Sequence, residues 1–496
     1  MYSRKTRDDV GIESAVPQKA KLDSGSVLMV IWSGIALASD GYNSQALGSA
    51  NAMFKKLYGR EYTAEMQGRV SSAYYVGLCL GSLAFGMMID HVSRKAGVVL
   101  ATCILIVGVA LCTGSYSTTP HMMFCMLVVS RGILGFGAGG EYPVCSTGST
   151  EAGDETQAVR RHRGLIVGLV GCTSIDLGIV FGGILPLCVL AGFGYTNATP
   201  PDETMHLSAS WRTTLGLGCI IPATVFIFRY RMASSTAFKN HSMTRSINLS
   251  VYLLALKRYW RRLLGTCLTW FLYDFVAYPF GLFSPSIVDG LPGNSNNIIL
   301  SIGYSSVINA FLIPGCILGS LALDKLGRRN TMMAGFISQS IVAFVLAGAL
   351  NPIQSVFPLF IVLYGIMLSC GEFGPGVTTL LVSSECFPTP LRGHFVGISA
   401  AFAKAGAAIG TVVFNRIMSS YDSENSGLRV AVFVGAGLSL LGAFITILCI
   451  PSDHIRNLQL EDLHFRQFLK DHGITDDAFD KTIEFDTNSM NSDLKI

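Results

Sequence analysis

Long runs of apolar residues alternate with short polar segments along most of this chain. Each run is close to the roughly 20 residues that a helix needs to cross a lipid bilayer. We predict spans at residues 26–46, 69–90, 97–115, 120–147, 163–192, 213–230, 261–289, 298–322, 330–349, 355–384, 393–418 and 428–450. The pattern therefore predicts an all-α, multi-pass membrane protein with twelve transmembrane helices.

The composition supports a chain that lies in lipid. Half of the residues are hydrophobic, 14% are charged, and the mean hydropathy is +0.48. Soluble domains carry about 25% charged residues. The first 25 residues are polar and lack the apolar core of a cleavable signal peptide, so we expect a cytoplasmic N-terminal tail.

The lysines and arginines of the loops concentrate after the even-numbered spans. Basic loops remain on the cytoplasmic side, so this distribution predicts that both termini are cytoplasmic. The basic runs are therefore topology signals, and we expect no nucleic-acid partner. In the outer loop after span 5, Asn197 begins the sequence NAT, an acceptor for N-glycosylation.

Motifs for catalysis and for metal binding are missing from the sequence. The 13 cysteines are scattered and form no CxxC pair, which favours packed small side chains. No nucleotide-binding loop, histidine cluster or nucleophile constellation accompanies them. We therefore expect no enzyme, no cofactor and no metal.

Acidic residues recur at one spacing, which indicates a duplicated chain. Three pairs are separated by 234 residues, namely Asp40 and Asp274, Asp90 and Asp324, and Glu151 and Glu385. The predicted organisation is two six-helix halves, 26–230 and 261–450, a cytoplasmic linker 231–260, and tails 1–25 and 451–496. Duplicated halves are typical of carriers that work by alternating access, with the substrate site between the halves at the membrane midplane.

Ionisable residues inside the predicted spans are the candidates for function, because each costs about 2.5–3.5 kcal/mol at the bilayer centre on insertion scales. They are Asp40, Arg131, Glu141, Asp176, Asp274, Glu372 and Lys404. Structural alternatives remain open for some. Asp40 and Arg131 form a static ion pair in one alternative. Glu141 and Glu372, which lie beside glycines and a proline, cap bent helices in another.

Span 7 carries an acid on a patterned face. Trp270, Asp274 and Tyr278 recur at every fourth residue and share one side of a helix. A buried carboxylate can carry a proton, and the lysine of span 11, Lys404, supplies a point charge for an anion. Asp274 and Lys404 are therefore the leading candidates for proton and anion binding.

Loop and helix motifs identify a superfamily. Gly86, Asp90, Arg94 and Lys95 after span 2 match most of G-x-x-x-D-x-x-G-R-K, and Asp324, Gly327, Arg328 and Arg329 repeat it after span 8. Span 4 reads R-x-x-x-G-x-G-x-G from Arg131. The chain resembles the major facilitator superfamily, which implies its twelve-helix fold. It also implies a gating role for Asp90, Arg94, Asp324 and Arg328.

Further motifs resemble the proton-coupled phosphate symporters of that superfamily. They are GGEYP in span 4, W-x-x-x-D-x-x-x-Y in span 7, FGP with SSECFPTPLRG around span 10, and AKAGAAIG in span 11. The resemblance implies that phosphate and protons are surrounded by Asp40, Tyr142, Trp270, Asp274, Tyr278 and Lys404. Arg131 and Glu141 are further candidates for proton coupling, and Glu141 stands where an aspartate is usual.

Two departures favour an organic phosphate. Gly376 and Ser174 replace longer amide side chains of the family, which would leave room for a head group. We therefore expect a monomeric plasma-membrane symporter for glycerophosphodiesters, similar to the fungal permeases for glycerophosphoinositol and glycerophosphocholine. An inorganic phosphate symporter is the main alternative. A nutrient receptor that does not transport, or a facilitative sugar carrier, fits the short tail and the buried charges less well.

Overall fold

The computed structural model describes residues 24–89, 94–143, 145–146, 163–195, 204–231, 249–290, 297–452 and 458–474. Within these ranges the chain is helical and has no strand, and a helix coincides with each predicted span. The first half contains α1 (Ser24–Tyr58), α2 (Ala64–Ile89), α3 (Arg94–Thr113), α4 (Pro120–Pro143), α5 (Gly164–Gly192) and α6 (Thr204–Leu217 with Ile220–Arg231). The second half contains α7 (Leu249–Leu282), α8 (Ile298–Leu326), α9 (Arg328–Gly348), α10 (Phe357–Glu385), α11 (Arg392–Ser419) and α12 (Glu424–Cys449).

The helices suit a bilayer in both length and surface. Among the described residues, 10 helices are long and apolar enough to cross a membrane, and Gly97–Thr113 is a shorter apolar helix. Large hydrophobic side chains such as Leu318, Leu440 and Phe444 are exposed on the outside of the bundle. Lipid tails can cover that surface, and the helices satisfy their own backbone groups. The predicted all-α membrane fold is confirmed.

The same helix packing occurs in both halves and depends on glycine. A Cβ at Gly178 of α5 would lie 2.1 Å from the Ala38 carbonyl oxygen of α1. A Cβ at Gly410 of α11 would lie 2.4 Å from the Phe275 carbonyl oxygen of α7. Any larger residue would push each helix pair apart, as expected for small residues in membrane helix contacts. The matching pairs α1–α5 and α7–α11 agree with a duplicated chain.

The two halves contact each other at both ends of the bundle. We call the end where α1 begins and α12 ends the terminal end, and the opposite end the far end. At the terminal end α2 packs on α11, where a Cβ at Gly86 would lie 2.9 Å from Gly397 Cα. At the far end α1 packs on α7, where a Cβ at Gly48 would lie 2.4 Å from the Leu282 carbonyl oxygen. The space between the halves is therefore bounded by close contacts on both sides.

Two helical segments extend beyond the predicted boundaries. Helix α7 begins at Leu249, inside the segment predicted as a linker, and the predicted C-terminal tail contains a further helix, α13 (Leu458–Asp471). The α13 helix packs against the terminal end through Phe465 and Leu469, which are buried. Its Glu461 accepts a hydrogen bond from the Tyr259 hydroxyl at 2.7 Å. The tail thus adds a docked element to the second half.

Candidate functional site

A cavity of about 70 Å³ lies between the two halves. Its wall includes residues of α1, α4, α5, α7, α8, α10 and α11. Six of the predicted substrate residues line it: Tyr142, Trp270, Asp274, Tyr278, Gly376 and Lys404. The structure therefore brings together residues that are far apart in sequence, between the two halves, where a carrier is expected to bind its substrate.

Lys404 of α11 is held at the centre of this group. Its Nζ lies 3.0 Å from Asp274 Oδ2 and donates to the Tyr278 hydroxyl at 2.6 Å. The ammonium also lies 4.4 Å from the ring centroid of Tyr142 and 4.2 Å from that of Tyr278. Both Lys404 and Asp274 are 1% exposed, so the pair is fully desolvated. A charge pair this buried is not retained for stability alone, because its desolvation offsets most of its Coulomb attraction.

Asp40 of α1 is joined to this pair by tyrosines. Its carboxylate accepts hydrogen bonds from the Tyr74 hydroxyl at 2.5 Å and from the Tyr142 hydroxyl. The Tyr142 hydroxyl lies 3.4 Å from the Tyr278 hydroxyl, which contacts Lys404. A continuous polar path therefore connects the acid of the first half with the acid of the second. A hydrogen-bond network of this kind couples the charge states of two ionisable groups.

Arg131 of α4 does not pair with Asp40. Its Nη1 donates to the Asn43 carbonyl oxygen at 2.8 Å, and its guanidinium lies 4.4 Å from the ring centroid of Tyr74. Among the described residues no ion pair joins Arg131 to an acid. The static ion pair considered from the sequence is therefore wrong, and Arg131 reaches Asp40 only through Tyr74.

Two predicted site residues face away from the cavity. The Glu141 carboxylate accepts a hydrogen bond from the Thr102 hydroxyl of α3 at 3.2 Å. The Ser174 hydroxyl donates to the Val170 carbonyl oxygen at 2.6 Å and lies against Gly34 of α1. Neither side chain lines the cavity. Ser174 therefore packs between α5 and α1 and does not border this cavity.

Gly376 lines the cavity, but the space beside it is filled. A Cβ at this position would lie 2.1 Å from Glu372 Oε2 and 2.9 Å from the Tyr273 hydroxyl. The Tyr273 hydroxyl donates to Glu372, so the glycine accommodates a buried acid rather than an empty pocket. We predicted that a glycine here leaves room for a substrate. In the structure it leaves room for the Glu372 carboxylate.

Three residues that the sequence analysis did not bring together meet beside the cavity, and two of them, Asp176 and Glu372, line it. Asp176 of α5, Cys316 of α8 and Glu372 of α10 place their Oδ, Sγ and Oε atoms within 4.8 Å of one another. Both α5 and α10 contain a wider π-helical turn here, Gly168–Cys172 and Glu372–Gly376. Such turns are frequent at functional sites. The tyrosines Tyr74 and Tyr75 were also missed, because tyrosine in an apolar span has no signal that separates it from packing.

The predicted gating loops are partly described. Arg328 is bonded to Asp324 at 3.1 Å and to Glu385 at 3.1 Å. The second carboxylate oxygen of Asp324 accepts from the backbone N–H of Leu165, which begins α5 in the other half, at 3.1 Å. This network ties the halves together at the terminal end. Asp90, the side chain of Arg94 and the predicted glycosylation site Asn197 lie outside the described residues.

Comparison with known proteins agrees with this architecture. Glycerophosphoinositol permease 1 of Candida albicans is 38% identical over 448 residues, which cover 90% of this chain and 82% of that protein. Glycerophosphocholine permease GIT4 of the same organism is 34% identical and covers 95% of this chain and 88% of that protein. Inorganic phosphate transporter 1-2 of Oryza sativa subsp. japonica is 28% identical and covers 90% of this chain and 94% of that protein. These relatives are permeases and transporters, which are not enzymes.

A solved structure shares the fold. The proton:xylose symporter XylE bound to 6-bromo-6-deoxy-D-glucose superimposes with a TM-score of 0.69 at 14% identity, covering 88% of this chain and 99% of that chain. The Major Facilitator Superfamily matches residues 26–411. The duplicated twelve-helix bundle, its motifs and these matches agree: the chain belongs to the major facilitator superfamily.

Proposed function

We propose that this protein is a proton-coupled symporter that imports glycerophosphodiesters by alternating access. The observation that carries the proposal is the Lys404 ammonium in the central cavity, held between the Asp274 carboxylate and the Tyr278 hydroxyl. A lysine at this place offers a point charge to a phosphate group. The names of the relatives as glycerophosphoinositol and glycerophosphocholine permeases support the choice of an organic phosphodiester.

The Lys404 and Asp274 pair provides a physical reason for coupling. While Asp274 is ionised, it neutralises Lys404 and repels an incoming phosphate. When Asp274 takes up a proton, the ammonium is released and the repulsion disappears. Proton and anion therefore favour each other's binding at one place, and the energetic coupling is reciprocal. Transport then moves a neutralised cavity across the membrane, which is less costly than moving an unpaired buried charge.

Asp40 has a comparable role in the first half. Its carboxylate is bound by Tyr74 and Tyr142, and Tyr142 leads to Tyr278 and Lys404. A change of charge at Asp40 therefore alters hydrogen bonds that reach the anion site. Arg131 acts on Asp40 through Tyr74, whose ring it covers. We propose that Asp40 and Asp274 are the proton-coupling acids, each in one half, and that Arg131 positions the first.

The aromatic residues of the cavity suit an organic head group. Trp270, Tyr142 and Tyr278 line it, and the ring centroids of Tyr142 and Trp270 lie 6.2 Å apart. Aromatic rings bind the apolar faces of glycerol and inositol while their polar tips hydrogen-bond hydroxyls. Both termini and the basic loops lie on the cytoplasmic side of the plasma membrane in this proposal, so the terminal end opens inward.

The test is uptake in cells that lack their own phosphate and phosphodiester carriers. Labelled glycerophosphoinositol, glycerophosphocholine and inorganic phosphate are each supplied with and without a protonophore. We expect both phosphodiesters to accumulate and the protonophore to abolish that accumulation. Uptake of inorganic phosphate alone would establish the alternative substrate. The matched control is Asp289→Asn, an acid outside the cavity that accepts from the Ser301 hydroxyl at 3.0 Å.

A further inference from the structure

A second pair of buried acids lines the cavity beside the Lys404 group. Asp176 belongs to the first half and Glu372 to the second, and both line the cavity wall. Their carboxylate oxygens and Cys316 Sγ lie within 4.8 Å of one another. Asp176 is 2% exposed and Glu372 is 8% exposed. Two carboxylates from opposite halves therefore meet out of contact with bulk water.

Neither acid has an ion-pair partner among the residues that the structure describes. The one cation among the cavity-lining residues that the structure describes is Lys404, and it is engaged by Asp274 and Tyr278. Glu372 accepts a hydrogen bond from the Tyr273 hydroxyl. The Oδ2 atom of Asp176 is buried and has no hydrogen-bond partner. A buried carboxylate oxygen without a donor is costly, and no described neighbour supplies a donor to this one.

Two ionised carboxylates this close repel each other strongly in a medium of low dielectric constant, and a shared site of this kind holds a proton. We propose that Asp176 and Glu372 together form a second proton-binding site, which holds one proton between the halves while the cavity is closed. The proposal rests on the proton coupling proposed above. It adds a site that is distinct from Asp40 and Asp274.

The position of the pair gives the proton a mechanical effect. One acid comes from α5 and the other from α10, so their repulsion acts across the interface between the halves. Protonation of either acid removes the repulsion and lets its O–H donate to the other. Loss of the proton restores the repulsion and favours separation of the halves. The bound proton therefore stabilises the closed form, and its release accompanies opening.

A proton fits the cluster better than a metal ion does. The Cys316 thiol lies 3.2 Å from the Thr173 hydroxyl, and the Tyr273 hydroxyl occupies one Glu372 oxygen. A metal would have to displace these bonds and bind a thiolate. The groups that face the pair from the neighbouring helices are Cys172 of α5, Cys316 of α8, Tyr273 and Asp274 of α7, and Lys404 of α11. Because Asp274 and Lys404 already neutralise each other, the additional proton binds between Asp176 and Glu372.

The experiment compares Asp176→Asn, Glu372→Gln and the double variant in proteoliposomes, with Asp289→Asn as the control. Proton influx is followed with a trapped pH dye and substrate influx with labelled glycerophosphoinositol or glycerophosphocholine. Each single variant should lower the number of protons carried per substrate by about one, because a lone acid has no neighbour to repel. The double variant should lower it no further than either single variant does.

Other outcomes overturn the inference. An unchanged proton-to-substrate ratio in both single variants, with wild type coupled, removes the second site and leaves the proposed function intact. A wild type that moves no protons with substrate removes the proposed function itself. Inhibition by a chelator and rescue by Zn²⁺ would assign the cluster to a metal. A change in head-group preference without a change in ratio would assign it to substrate recognition.

A separate measurement covers variants that transport too slowly to assay. Distance labels on α2 and α11 at the terminal end report closure in purified protein. We expect closure of the wild type to increase as pH falls, and closure of the double amide variant to increase less, because only Asp40 and Asp274 still titrate there. A double variant that keeps the full pH response of the wild type would overturn the proposal.

Discussion

The Lys404 ammonium lies 3.0 Å from the Asp274 carboxylate, and both side chains are 1% exposed. Neither charge has access to bulk water, so each is stabilised mainly by the other. Any anion that binds Lys404 must compete with Asp274 or arrive when Asp274 is protonated. We therefore expect substitution of either residue to change both anion binding and proton-coupled uptake.

Asp274→Asn should separate accumulation from exchange. The amide mimics a protonated acid and cannot change its charge, so concentrative uptake should be lost. Lys404 is then free for the anion in every conformation, and exchange of external for internal substrate should persist. Labelled uptake driven by a pH gradient and counterflow in its absence measure the two activities. Normal accumulation in a variant that reaches the membrane would contradict the proton role of Asp274.

Lys404→Ala should weaken the binding of every phosphate-bearing substrate. A hydrogen bond to a charged group contributes about 1.5–3 kcal/mol, which corresponds to roughly tenfold to over a hundredfold in apparent affinity. The variant also leaves Asp274 buried without a cation. Lys404→Arg keeps the charge but replaces a compact ammonium by a planar fork, so we expect only partial recovery. Unchanged apparent affinity of Lys404→Ala in competition uptake would place the anion site elsewhere, with Arg131 the next candidate.

Tyr142→Phe should interrupt the path between the two acids. It removes the hydroxyl that donates to Asp40 and contacts Tyr278, and it keeps the ring that faces Lys404. Removing one partner of a buried hydrogen bond costs about 1–3 kcal/mol. We expect the pH dependence of uptake to shift while the substrate preference stays. The control is Tyr75→Phe, whose hydroxyl contacts the Ser44 hydroxyl at 2.6 Å and no acid. Equal effects of both variants would argue against a special role for the Tyr142 hydroxyl.

The sequence predicted the helices and the candidates Asp274 and Lys404 for the same reason, and the structure shows that these two residues form a pair. A span of about 20 apolar residues has few stable states other than a membrane helix. A charge placed in such a span is costly, so Asp274 and Lys404 were recognisable as candidates without a structure. The glycines of span 4 were less informative. Gly135 packs against the Tyr74 carbonyl oxygen of α2, which is a structural role.

The orientation of Ser174 was not predictable from its spacing. Successive residues of an α-helix are rotated by about 100°, so a shift of one position moves a side chain to another face. The wider turn Gly168–Cys172 lies just before Ser174 and changes that register. As a result Ile175 and Asp176 line the cavity, and Ser174 packs on α1. The local sequence contains no signal for such a turn. The same change of register explains why the pairing of Asp176 with Glu372 was not predicted.

The α13 helix should dock more tightly at low pH. Asp462 accepts hydrogen bonds from the N–H and the hydroxyl of Thr389 at 2.7 and 2.6 Å. Burial raises the pKa of the Asp462 carboxyl, and the Arg392 charge and the Thr389 bonds only partly oppose this. The docked form therefore binds the proton more tightly than the undocked form. Its added stability is fully present below the ordinary pKa of an aspartate, about 3.9, and is lost as pH rises through the raised pKa.

Limited proteolysis of the tail at several pH values measures this docking. We expect protection of the wild-type helix to increase as pH falls. Asp462→Asn, which stays neutral and can keep one bond to Thr389, should be protected to the same extent at every pH. If the wild type and Asp462→Asn respond equally to pH, a group other than Asp462 controls the docking.

Gly376→Ala tests whether the glycine accommodates an acid or a substrate. The new Cβ would lie 2.1 Å from Glu372 Oε2, so the carboxylate and its bond to Tyr273 must move. Overpacking of this kind typically costs about 1–3 kcal/mol, and we expect lower thermal stability in detergent together with slower transport of every substrate. Glu372→Ala removes the obstructing group, so the double variant should recover stability relative to Gly376→Ala.

If the glycine instead leaves room for a head group, Gly376→Ala would reduce phosphodiester uptake selectively, inorganic phosphate uptake would remain, and Glu372→Ala would restore nothing. Comparing the melting temperature and both uptake rates in the two backgrounds separates these roles.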